Sequence, residues 1–209
     1  MLKARNLLLP TAAMSRDMLF ALALGYLLGS IPFGLVLTRL AGKGDLRQIG
    51  SGNIGATNVL RTGSRPLAAL TLILDCLKAT AAIVLARLLF GPETQPFAAV
   101  GAFLGHLYPV WLKFRGGKGA ATLLGVLIAL LWPAALIYAA VWVFLLLTIR
   151  ISSVAGMSAA VSAPIAGAVL RSSYFPMLLG FALLVLWKHR ENIARLVAGT
   201  EPRIGRAKA

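Results

Sequence analysis

The feature that most constrains this chain is a succession of long apolar runs. Those at roughly 18–38, 66–89, 97–112, 154–170 and 175–188 carry little charge, and several approach the ~20 residues that cross a bilayer as helix. A further stretch, Ala120 to Ile149, stays apolar for 30 residues apart from an interruption at Pro133. As one helix it would be about 45 Å long, too long for a ~30 Å hydrocarbon core unless steeply tilted. Two short helices hinged at Pro133 are the alternative, and proline favours a break there. The chain is 59% hydrophobic, where a soluble domain is nearer to about half. Its six acidic residues cannot solvate a globular surface. The sequence thus predicts an all-α, polytopic integral membrane protein.

The formal net charge of +15 is one footprint of nucleic-acid binding, but the placement of the charge excludes that partner. Basic residues sit at the ends of apolar runs and in the loops between them, where topology signals lie. Seven spans put segments 39–65, 113–119, 150–153 and 188–209 on one side. They carry Arg39, Lys43, Arg47, Arg61 and Arg65; Lys113, Arg115 and Lys118; Arg150; and Lys188, Arg190, Arg195, Arg203, Arg206 and Lys208. The other side holds Lys3, Arg5, Arg16, Arg87 and Arg171, with Lys78 inside a span. Six spans would send the basic tail to the opposite face, so the positive-inside rule predicts seven, with the N-terminus outside and the C-terminus cytoplasmic.

Residues 1–16 read as a flexible tail, since Lys3 and Arg5 are followed by only a short apolar stretch broken by Pro10, unlike a signal peptide. Met14 is an alternative start. Residues 17–209 then form one seven-helix domain with functional cytoplasmic loops at 39–65, 113–122 and 188–203. The single cysteine, Cys76, excludes an internal disulfide and a cysteine metal cluster. No metal-ligand set and no internal repeat is visible, and the latter argues against a transporter built from inverted halves.

Three segments carry chemistry. The first is Ile49-Gly-Ser-Gly-Asn-Ile-Gly-Ala-Thr-Asn58, followed by Val59-Leu60-Arg61. Gly52, Asn53, Thr57 and Asn58 belong to a backbone free to turn N–H groups toward an anion, and Arg61 adds a bidentate fork suited to phosphate. A plain linker would have no need of Ile54, Val59 and Leu60 among the glycines. The second runs from Gly105 to Thr122, with Gly116, Gly117 and Gly119 around Lys118 where an apolar helix begins. Glycine amides, a helix N-terminus and a lysine together make an anion site. It is not a Walker A loop, because the required positions are Leu112 and Gly119. The bland reading is a tight turn with basic topology determinants.

The third segment, Lys188 to Glu201, places His189 and Asn192 three apart on one face if helical, with Glu191 pointing elsewhere. His189 is the obvious proton acceptor. A basic amphipathic tail lying on anionic lipid is the alternative. Asp75 and Lys78 sit mid-span at i, i+3 and can pair, either as functional groups or to hold the bundle. His106 and His189 both lack the aspartate of a His-x4-Asp acyltransferase motif, since positions 111 and 194 are Trp111 and Ala194.

Together these segments resemble the bacterial glycerol-3-phosphate acyltransferases that use acyl phosphate, the PlsY family. The resemblance rests on Gly29-Ser-Ile-Pro-Phe-Gly34, Gly50 to Asn58, Gly105-His through Gly116-Gly-Lys-Gly119 to Thr122, the Asp75-x-x-Lys78 pair, and Lys188-His-Arg-x-Asn-Ile-x-Arg195 with Glu201. It covers the chain from about residue 17 onward, and every motif position is kept. It implies a multi-pass inner-membrane enzyme with its site facing the cytoplasm. Such an enzyme moves an acyl chain from acyl phosphate to the 1-hydroxyl of glycerol 3-phosphate, giving lysophosphatidic acid and phosphate. It implies no cofactor, and an acyl-phosphate-producing enzyme as functional partner. By position Ser51 and Arg61 match an essential pair, Lys118 and its glycines a glycerol-phosphate-binding segment, His189 and Asn192 functional residues, and Glu201 a glutamate needed for integrity. A membrane transporter of a phosphate-bearing or organic anion is the alternative class.

Overall fold

The computed structural model describes residues 14–204. Residues 1–13 of the expected tail, with Lys3 and Arg5, and the basic residues Arg206 and Lys208 lie outside the described residues. Helix already begins at Arg16, within the segment expected to be flexible. Ser15 caps it, its hydroxyl oxygen accepting from the Met18 amide at 3.2 Å, with Asp17 in the first turn.

The described residues fold as helices without strands: α1 Arg16–Gly29, α2 Phe33–Leu40, α3 Ala56–Leu60, α4 Arg65–Phe90, α5 Gln95–Leu107, α6 Ala120–Leu130, α7 Trp132–Thr148, α8 Ser152–Val169, α9 Phe175–Lys188 and α10 Arg190–Val197. The expected span 18–38 is broken at Ser30-Ile31-Pro32, because Pro32 has no N–H and its ring excludes helix just upstream. The break frees the Ile31 carbonyl, and the buried Lys78 ammonium of α4 donates to it at 2.8 Å. The span expected at 97–112 ends at Leu107, before Pro109. The long apolar stretch divides, but at Leu131, two residues ahead of Pro133, which takes a first-turn position in α7 where its missing N–H is harmless.

Helices α1 and α5 pack through two Gly-x-x-x-Gly pairs that the sequence reading passed over. A Cβ on Gly25 or Gly29 would run into the backbone of Ala98 or Ala102, and one on Gly101 or Gly105 into that of Leu22 or Tyr26. Small residues let helix backbones approach closely in a membrane, where no hydrophobic drive joins helices. Since rising numbers in α1 meet rising numbers in α5, the two helices are parallel. In α6 and α7 the Tyr138 hydroxyl donates to the Ala120 carbonyl at 2.9 Å. That contact makes the pair a hairpin folded at Leu131.

Three helical stretches, Arg16–Leu40, Arg65–Phe90 and Ser152–Val169, are long and apolar enough to cross a membrane, while α6, α7 and α9 are apolar but shorter. Large apolar side chains such as Ile73, Leu77, Leu88, Phe144, Leu147, Val169, Leu183 and Trp187 stand exposed on the outer faces. Water would disfavour such a perimeter and lipid suits it. The main core joins α1 and α4 to α9. A second, small core of Leu35, Leu46, Ile54, Val59 and Ala68 anchors the first loop, which explains the apolar residues interleaved with its glycines.

Candidate active site

The segments 39–65, 113–119, 150–153 and 188–204 meet at one end of the bundle. The Ile204 amide donates to the Arg150 carbonyl at 2.7 Å, and the Ser153 hydroxyl donates to Glu201 at 2.7 Å. Between them lies a cavity of about 110 Å³ lined by Ser51, Asn53, Thr57, Asn58, Arg61, Lys118, Gly119, His189, Asn192 and Glu201, among others. It adjoins an open groove of about 680 Å³, which shares Ser51, Thr57, Arg61 and Ser152 and adds Arg195 and Arg203.

Asn58 organises the first loop. It is 2% exposed, its amide nitrogen donates to the carbonyls of Leu46 at 2.9 Å and Ile49 at 2.8 Å, and its oxygen accepts from the Ser51 amide at 3.2 Å. The same oxygen accepts from the Ser51 hydroxyl at 3.4 Å and from Arg61 at 3.3 Å. A single buried amide thereby holds the serine and the arginine at the cavity edge.

The third segment is helical over α10, and His189 and Asn192 are buried while Glu191 is exposed. Glu201 accepts from Ser153, from the Asn192 amide nitrogen at 2.5 Å, and from Arg195 Nε at 2.7 Å. This turns the Asn192 oxygen toward Lys118, whose ammonium donates to it. Burial opposes the charge of Glu201, but hydrogen bonds from Ser153, Asn192 and Arg195 hold its carboxyl below the ordinary glutamate value. Burial, and then the nearby Arg195 charge, bring Lys118 down to about 8. Burial lowers His189 to about 4 against its bond to the Val185 carbonyl. That bond, 2.8 Å from Nδ1, places the neutral ring's proton on Nδ1 and leaves the Nε2 lone pair facing Gly156.

Not every expected residue reaches the cavity. The Gly116 and Gly117 amides donate to the carbonyls of Leu107 at 3.2 Å and His106 at 3.0 Å, closing the end of α5 instead of facing an anion. Gly52 donates back to Ile49 at 3.0 Å within its own turn. Thr122 is buried in α6, and its hydroxyl has no hydrogen-bond partner among the described residues. Lys78 is buried and pairs with Asp75 at 2.6 Å, and only Asp75 of the two lines the cavity. Gly119, with φ of +90°, does line it.

Sequence reasoning missed Ser153, Trp142, Gly156 and the importance of His106, all lining residues. Trp142 and Gly156 were hidden in apolar runs. His106, like His189, lacks a downstream aspartate, and it stands in an apolar run with no polar neighbour to mark it.

The sequence profile of the glycerol-3-phosphate acyltransferase family matches residues 19–199. A protein of Nitrobacter winogradskyi named glycerol-3-phosphate acyltransferase is 59% identical over 188 residues, covering 90% of this chain and 96% of that one. One of Mesorhizobium japonicum with the same name is 58% identical over 193 residues, covering 92% and 98%. Among solved structures, the chain is similar to PlsY (YgiH), an integral membrane glycerol 3-phosphate acyltransferase, in its glycerol 3-phosphate form, with a TM-score of 0.84 at 40% identity over 90% of this chain and 96% of that one. The lysophosphatidic acid form of PlsY gives a TM-score of 0.81 at 39% identity.

Proposed function

The chain belongs to the glycerol-3-phosphate acyltransferase family, and on that premise we propose that it transfers a fatty acyl chain from acyl phosphate to the 1-hydroxyl of glycerol 3-phosphate. The products are lysophosphatidic acid and phosphate. The chain crosses the inner membrane seven times, with α1 and α2 as one crossing and the cavity on the cytoplasmic side. An enzyme that makes acyl phosphate feeds it.

The observation that carries this reading is the chemistry of the cavity. Ser51, Arg61, Lys118 and His189, with its Nε2 lone pair free, line one cavity, with no cysteine among the lining residues. Such a site positions two anions and accepts one proton. That suffices for a mixed anhydride, which is already activated and needs no covalent enzyme intermediate. The 1-hydroxyl oxygen bonds to the acyl carbonyl carbon, and its proton passes to His189 Nε2 or to a phosphate oxygen. The carbon–oxygen bond to phosphate then breaks, with the electron pair leaving on phosphate. Lys118 and Arg61 neutralise that departing charge.

The test is detergent-purified protein with palmitoyl phosphate and glycerol 3-phosphate, following phosphate release and lysophosphatidic acid. Turnover without coenzyme A or acyl carrier protein is expected. Turnover with palmitoyl-CoA and none with palmitoyl phosphate would assign the donor to the thioester class.

A further inference from the structure

We propose that His106 is a catalytic residue whose Nε2–H donates a hydrogen bond to the carbonyl oxygen of the acyl donor and stabilises the negative charge gathering there. The assignment rests on the acyl-transfer reading above.

The proton's position follows from Lys78. Its Nζ lies 2.6 Å from Asp75 Oδ1, 2.8 Å from the Ile31 carbonyl oxygen and 3.0 Å from His106 Nδ1. An ammonium has three N–H donors and no lone pair, so three acceptors use it fully. His106 Nδ1 must then accept, and the neutral ring carries its proton on Nε2. His189 is arranged the opposite way, with Nδ1–H given to Val185. The two histidines that line the cavity therefore offer the same ring nitrogen, Nε2, in opposite roles: His189 as an acceptor and His106 as a donor.

The His106 donor is built for a ligand. The residue is 4% exposed, lines the cavity, and its Nε2 has no hydrogen-bond partner among the described residues. Nε2 is left with a free N–H at the cavity, so the position suits an oxygen brought by substrate. Gly117 leaves the room, since a Cβ there would overlap the Nε2 edge of the ring.

Place decides which oxygen. Within the cavity His106 is accompanied by Asp75 and Leu72 of α4 and Trp142 of α7, while the adjoining groove is lined by Arg195 and Arg203. The water-soluble acceptor enters by that cationic groove. Leu72, His106 and Trp142 belong to the apolar helices α4, α5 and α7, and a donor with its chain in lipid presents its carbonyl among them. His106 keeps its proton throughout: the carbonyl oxygen takes up an electron pair as the alcohol adds and returns it as phosphate leaves.

The test measures kcat and each KM with palmitoyl phosphate for full-length His106→Leu and His106→Gln, alongside thermal unfolding in detergent. Losing an oxyanion donor costs about 10²–10³ in kcat, so that loss is expected for leucine with the KM for glycerol 3-phosphate unchanged. Glutamine should recover much of it, because its oxygen can accept from Lys78 while its N–H faces the cavity. A folded His106→Leu with wild-type kcat, or one raising only the KM for glycerol 3-phosphate, would overturn the assignment. So would a folded His106→Gln as inactive as leucine. Because the chain has two histidines, 15N spectra of histidine-labelled protein, assigned with His189→Gln, read the tautomer directly even if the leucine variant does not fold. A proton on His106 Nδ1 would refute the proposal. A wild type inert toward palmitoyl phosphate would instead refute the functional reading, and this assignment with it.

Discussion

Glu201→Gln should loosen the C-terminal segment and disable Lys118 together, because one carboxylate serves both. Oε1 accepts from Ser153 and Asn192, and Oε2 accepts from Arg195 Nε at 2.7 Å. Glutamine has one acceptor where the carboxylate has two. If its oxygen stays with Ser153 and Asn192, its NH2 confronts the Arg195 N–H. If it turns over, Asn192 must flip to accept from it and then presents its own NH2 to the Lys118 ammonium. Either arrangement loses one charge-assisted bond, about 1.5–3 kcal/mol. At roughly 2–4 °C per kcal/mol for a chain of this size, the unfolding midpoint should fall by about 3–12 °C. The chain's four tryptophans report that transition by fluorescence in detergent. Specificity for glycerol 3-phosphate should fall as well, while Arg195→Ala, which spares the link to Asn192, should cost stability with a smaller kinetic effect. A glutamine variant with wild-type melting and wild-type kcat/KM would refute the view that Glu201 joins these elements.

Three further outcomes follow from the same geometry. Lys118→Ala removes a charge-assisted contact of about 1.5–3 kcal/mol, about 10- to 150-fold in kcat/KM for glycerol 3-phosphate; because Lys118 is lowered to about 8, that parameter should decline above this pH as the ammonium loses its proton, and Lys118→Arg should remove the decline. His189→Ala should reduce turnover by about 10²–10⁴-fold; with His189 lowered to about 4, it is neutral and able to accept a proton at all higher pH, so an acid limb near 4 marks it as the base, whereas a limb near ~6 in both wild type and His189→Gln marks a substrate phosphate. In a Cys76→Ala background, Arg150→Cys and Thr200→Cys should resist an impermeant reagent in intact cells, and labelling of either from outside would reverse the proposed orientation.

The apolar helices of this fold were legible in the sequence, and its interruptions were less so. Apolar length located the helices, and basic residues grouped four loops that the structure brings to one end through contacts such as Ile204 with Arg150. Breaks depend on local chemistry that hydropathy averages away. Pro32 splits the first helix, and Pro133 moves the second break upstream to Leu131. In the site, Ser51, Arg61, Lys118, His189 and Asn192 could be singled out because charged or polar groups are rare in such a chain. The glycines could not be sorted, since Gly116 and Gly117 differ from Gly119 only in where their backbone groups point. His106 was undervalued because its partner is not a downstream aspartate but Lys78, across the bundle on α4.

The membrane setting gives the arrangement its logic. Around the cavity and its groove stand Arg61, Lys118, Arg195 and Arg203, while Glu201 is the acidic group on that side and Asp75 is already paired with Lys78. The excess of cations fits the proposed pair of substrates, each of which brings phosphate. Lys118 keeps two of its three N–H groups for substrate after bonding Asn192, so the network positions the ammonium without neutralising it. Burial weakens its hold on its proton before substrate binds, and an incoming phosphate restores it. The charge is thereby strongest when both substrates are in place. Beneath it, Lys78 serves the opposite purpose. All three of its donors are consumed inside the protein, leaving His106 neutral and its remaining N–H aimed where an uncharged carbonyl, rather than another phosphate, must arrive.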